Sequence, residues 1–153
     1  MSIYSAWVDA AATTLQGVAG LTSATVHKYT PASPERLTTD GRRHLAIWPV
    51  SEAEVMDPMT IGGSDLVVTF EILVWEPTAE SELTVADETA MAAFLDVLDA
   101  IRTALHDDDF RVLSTSWLTK MRGATIGIGG GIGGGLTRYI AVQVEAHFGY
   151  DST

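Results

Sequence analysis

A chain of 153 residues, 46% apolar and 19% charged, carries enough apolar surface for a buried core, which excludes wholesale disorder. It contains no cysteine, so disulfides and cysteine-ligated metals are excluded, and the absence fits a reducing compartment. A formal net charge of −11 opposes adhesion to nucleic-acid backbones and to anionic membranes. The acidity has two readings: plain solubility, or a surface that must not stick to DNA passing nearby. Met1 to Gly20 has no basic region and contains Asp9, so no secretory signal is expected there. No run of apolar residues is long enough to cross a membrane as a helix, so no span is expected.

In chain order, the first element reads as an amphipathic helix. Ile3, Trp7, Ala11, Leu15 and Val18 recur at helical spacing, Ser2 is placed to cap the start, and Gly17 and Gly20 mark the end, Gly20 as the better stop. A strand is predicted from Thr22 to Tyr29, then a loop from Pro31 to Arg43, with Asp40-Gly41 as a turn signal. His44 to Val50 (HLAIWPV) reads as a second strand that Pro49 confines to an edge or a strand end. Ser51 to Gly63 has no clean period. Asp65 to Trp75 is the clearest strand: Leu66, Val68, Phe70, Ile72 and Val74 share one continuous apolar face.

The second helix carries Met91, Phe94, Leu98, Ile101 and Leu105 on one stripe, which is expected to cover that strand face. Thr84 and Asp87 resemble a capping box, and Asp107, Asp108 and Asp109 end the helix. Phe110 to Ile128 reads as one or two strands with Trp117 and Met121 packed. Leu136 to Phe148 reads as the last strand, alternating between its two faces. Between them lies a glycine run, Gly127 to Gly135, which glycine's backbone entropy predicts to be a poorly ordered loop. This order of elements predicts an α+β class: a mostly antiparallel sheet with two main helices packed on it, one domain over residues 1–153.

No constellation for chemistry emerges, so an enzyme is not expected, and neither a cofactor nor a metal is called for. The glycine run lacks the lysine of a phosphate-binding loop and precedes a strand, where a dinucleotide fingerprint would precede a helix. His27, His44, His106 and His147 are scattered singly, with His27 and His147 expected at exposed strand positions. The Asp107–Asp109 run lacks the ligand spacing of a calcium loop. No nucleophile elbow is present. Glu71, Glu76 and Glu80 read as a solvated strand edge. Arg42 and Arg43, basic in an acidic chain, are either surface charge or a patch for an acidic neighbouring subunit.

An amphipathic helix precedes a strand ending in Tyr29, followed by the edge-like HLAIWPV. The long strand DLVVTFEILVWEP then leads into the helix ADETAMAAFLDVLDAIRTAL, and a glycine-rich loop leads into GLTRYIAVQVEAHFGY. In this order and hydrophobic pattern the chain resembles, over nearly its whole length, the tail terminator (minor tail) proteins of long-tailed bacteriophages. The glycine run is longer than that family's pattern requires.

The resemblance implies a homo-oligomeric ring, a hexamer, that caps the tail tube, stops its polymerisation and presents a head-joining surface. Its partners would be further copies of itself, the tail tube protein and the head connector protein. DNA would pass through an acidic lumen without specific binding, and no membrane would be involved. The place would be the virion tail, assembled in the host cytoplasm. Candidate subunit-interface residues are Arg42, Arg43, Gly129, Gly130, Gly131, Gly133, Gly134 and Gly135. Two other readings stay open: another head–tail connector or tail-completion protein, and a monomeric cytoplasmic domain binding a small molecule or peptide.

Overall fold

The computed structural model describes residues 2–29, 42–56, 63–78, 85–105, 116–130 and 136–151. The Pro31–Gly41 stretch, Thr84 and its cap, Glu80, His106 and Asp107–Asp109 lie outside the described residues, as do the side chains of Asp87 and Trp117. Among the described residues the elements are α1 (Ile3–Gln16), β1 (Thr25–Lys28), β2 (His44–Met56), β3 (Gly63–Thr78), α2 (Val85–Leu105), β4 (Ser116–Gly130) and β5 (Leu136–Asp151). The strands form one sheet in the order β1-β2-β3-β5-β4. Only the β1–β2 pair is parallel. The class is α+β, with helices packed on a mostly antiparallel sheet.

Helix α1 starts where the Ser2 hydroxyl accepts the Ser5 amide at 3.2 Å. It buries Trp7, Val8, Ala11, Ala12 and Leu15. Gly17, in right-handed geometry, is the residue that ends it. Gly20 serves the turn that follows: its φ is +90°, and a Cβ there would sit 2.9 Å from Val97 Cγ2. Residues 22–24 belong to that turn, so β1 is shorter than its sequence suggests. Tyr29, just past β1, has a left-handed φ of 69°. Its hydroxyl donates to Asp9 Oδ1 at 2.6 Å, and Lys28 Nζ donates to the same oxygen at 3.1 Å. These bonds tie the end of β1 to α1 and hold the Asp9 carboxyl below its ordinary range, with Tyr29 as the larger cause.

Strand β2 runs on past Val50 to Met56, with a bulge between Pro49 and Ser51. The reason is local. β1 pairs with β2 only from His44 to Ile47, and Tyr29 N donates to Ile47 O. Beyond Ile47 the outer edge of β2 has no strand partner among the described residues, so the missing N–H of Pro49 costs no ladder bond. β4 likewise absorbs Gly127, Ile128, Gly129 and Gly130, which pair with Tyr139, Arg138, Thr137 and Leu136 of β5. The first part of the glycine run is therefore strand rather than loop. A continuous partner outweighs the entropy that glycine brings to it.

Both helices cover one face of the sheet. Phe94, Leu98, Ile101 and Leu105 of α2 join Val68, Phe70, Ile72 and Val74 of β3 in one core, with Leu66 partly buried against it, as the two apolar stripes predict. Trp7 stacks on Phe70 with ring centroids 3.9 Å apart and planes at 16°. On the other face Ala46, Trp48, Leu73 and Trp75 form a second buried cluster, with Tyr139 and Ala141 packed beside it.

Candidate functional site

Arg43 turns inward. Its Nε and Nη2 donate to Glu76 Oε2 at 3.0 and 2.9 Å, and its Nη1 donates to the Gly20 carbonyl at 2.7 Å. Arg138 Nε lies 3.0 Å from Glu76 Oε1 but out of line for a hydrogen bond, so that contact is chiefly electrostatic. Both guanidinium carbons lie under the Phe94 ring, 5.6 and 5.9 Å from its centroid. Glu76 is thus the centre of an internal Arg–Glu–Arg cluster, not part of a solvated edge. Arg43 is correspondingly not free to meet an acidic neighbour. Arg42 remains exposed. Gly129 and Gly130 lie in β4, whereas Gly131, Gly133, Gly134 and Gly135 fall outside the described residues.

The exposed feature is β4 itself. Among the described residues it pairs only with β5, so its outer edge is open along the strand. Residues 122–126 and Ile128 are exposed. Ile126 and Ile128 stand 46% and 62% in solvent, an unusual cost for two large apolar side chains on an open edge. At the far side of the sheet, the half of β2 beyond Ile47 is a second edge with no strand partner among the described residues. There Val50 is 48% exposed, and Ser51, Glu52, Ala53 and Glu54 are all exposed.

The outer face also gathers histidines that the sequence leaves apart. His27 Nε2 and His44 Nδ1 are 3.0 Å apart, so one ring donates to the other. The His44 ring lies parallel to Trp75 with centroids 5.0 Å apart, and His27 reaches Trp75 at 5.6 Å. Parallel pairing of β1 with β2 brings them together, and His27 is only partly exposed. His147 is also half-buried, with Nε2 3.3 Å from Glu145 Oε1. Among the described residues no group of three or more His, Asp or Glu is placed to hold a metal ion.

Beside this cluster an open trough of about 570 Å³ runs over β3, β5 and β4, lined by Glu71, Arg122, Thr125, Ala141 and Gln143 among others. Burial raises the Glu71 carboxyl above its ordinary 4.5. The folded state therefore favours the protonated acid. That contribution is fully present below the ordinary value and is lost as pH rises through the raised one. Glu71→Gln is expected to raise the melting temperature at about pH 7 and to leave it unchanged near pH 3. Thermal denaturation at the two pH values checks this; an equal shift at both would contradict the burial effect.

Among the described residues no helix is long and apolar enough to cross a membrane. No protein-family model and no curated protein sequence matches this chain.

Proposed function

We propose that the chain is a ring-forming structural protein of a long-tailed bacteriophage, a tail terminator without a catalytic role. In that role it caps the tail tube, stops its polymerisation and offers the surface to which the head connector joins. The observation that carries the reading is the open β4 edge with exposed Ile126 and Ile128. A domain that works alone blunts such an edge, because it invites pairing with other chains. A subunit of a closed ring has a use for it. The order α1-β1-β2-β3-α2-β4-β5 agrees with the layout on which the family resemblance rests. A net charge of −11 suits a channel through which DNA slides without adhering.

Tails assembled without the protein provide the test. Tubes of irregular, excessive length that fail to join heads are the expected result. Tubes of normal length that fail to join heads would move the protein to another head–tail connector or tail-completion role. Tubes that are normal in both respects contradict the proposal. In that case the trough at Glu71 supports the second reading, a monomeric binding domain.

A further inference from the structure

We propose that the trough on the outer face of the sheet receives the guanidinium of an arginine side chain from a partner protein, with the Glu71 carboxylate as its anchor. Strand register builds the site. Glu71 stands in one cross-strand row between Trp48 of β2 and Gln143 of β5, and Gly123 of β4 completes that row. The next row on the same face brings Ala141 and Thr125. Trp48 is buried, and Glu71 beside it is half-buried. Among the described residues no hydrogen bond or ion pair reaches Glu71. A carboxylate drawn out of water without a partner is costly, and its raised protonation range reflects that cost.

The space beside Glu71 exists because Gly123 has no side chain. A Cβ there would meet no atom within 4 Å, and the backbone is not left-handed, so the gap is open room rather than a tight turn. The trough holds about 570 Å³, enough for the head and stem of a long side chain. It is open along its length, whereas small-molecule sites enclose most of their ligand. An open trough suits a side chain tethered to a partner whose own surface closes the top.

Chemistry selects the occupant. A planar guanidinium donates to both oxygens of a carboxylate in a fork, and its remaining N–H groups meet the Gln143 and Thr125 side-chain oxygens that line the trough. An ammonium donates from a single atom and does not span those acceptors. The other charged positions around Glu71 on this face, among the described residues, are Lys120 and Arg122 of β4 and Glu145 and His147 of β5. Tyr139, His27 and His44 lie further along the face, beside Trp75. Arg122 is held by Glu145 at 2.7 Å, His147 lies 3.3 Å from the same carboxylate, and Lys120 pairs with Glu145 in register. These cations answer Glu145 and leave Glu71 uncompensated. A ring subunit and a lone domain have the same use for such a trough, so the site is independent of the ring reading.

Titration of the whole, isotopically labelled chain with the capped peptide acetyl-Gly-Arg-Gly-amide, followed by NMR at about pH 7, tests this. Saturable shifts are expected, the Gln143 side-chain amide among them. Affinity is expected to drop by about tenfold or more when citrulline, a neutral isostere, replaces the arginine, and equally in Glu71→Gln. Gly123→Leu fills the trough while keeping the carboxylate, and is expected to lose binding as well; thermal denaturation checks that both variants are folded. Affinity is also expected to fall between about pH 7 and about pH 4, because proton and cation compete for one carboxylate. Absence of saturable binding, equal binding of the citrulline peptide, or unchanged binding in Glu71→Gln or Gly123→Leu would overturn the proposal. Methylguanidine binding more tightly than the peptide would overturn the assignment to a protein partner.

Discussion

Glu76→Gln is expected to lower the unfolding free energy by about 3 kcal/mol. The side chain of Glu76 is 17% exposed, those of Arg43 and Arg138 23% and 10%. Glutamine keeps the shape but leaves two cations close together against the Phe94 ring with no counter-charge. Removing one partner of a largely buried ion pair typically costs about 3–5 kcal/mol, because the remaining charge stays desolvated. Partial exposure of Arg43 favours the lower end of that range. Arg138→Met in the Glu76→Gln background should recover part of the loss, since it removes one stranded charge. Urea denaturation measures both. A loss well under about 1 kcal/mol for Glu76→Gln would place the cluster among exposed ion pairs of little consequence.

Phe70→Ala is expected to cost more, about 4 kcal/mol. Phe70 is fully buried at the middle of β3, between α1 and the rest of the core. Alanine removes the ring's transfer energy, leaves a cavity, and ends the stacking with Trp7 at 3.9 Å. Trp7 is itself fully buried, so its fluorescence should shift to longer wavelength as water reaches the cavity. Phe70→Leu refills much of the volume and should cost about 1–1.5 kcal/mol. Equal losses for the two variants would mean that α1 does not pack on β3 as described.

The elements legible in the sequence are those whose apolar period is complete within one segment. The α2 stripe and the Leu66–Val74 alternation each name a face, and the two meet in one core that α1 also covers. What the sequence hides depends on partners far along the chain. Gly127–Gly130 have no side chains to show a strand period, and only β5 reveals them as a strand. Ser51–Met56 shows no alternation because Ser51 to Glu54 are all exposed. Glu76 lies beside Arg138 only through the β3–β5 register, and His27 meets His44 only through a parallel pairing of short reach. Of the residues named for an interface, Arg43 serves the interior, while Gly129 and Gly130 lie on the open edge strand. The isoleucines beside those glycines were readable as apolar, but not as exposed: that follows from β4 extending as an outer strand with an open edge.

Whether the chain closes into a ring can be read from the native mass of the concentrated protein. One discrete assembly that does not grow with concentration is expected, at six times the 16.3 kDa chain if the resemblance sets the number. A mass of 16.3 kDa at every concentration and on isolated tails, or an open series of ever larger species, would contradict it.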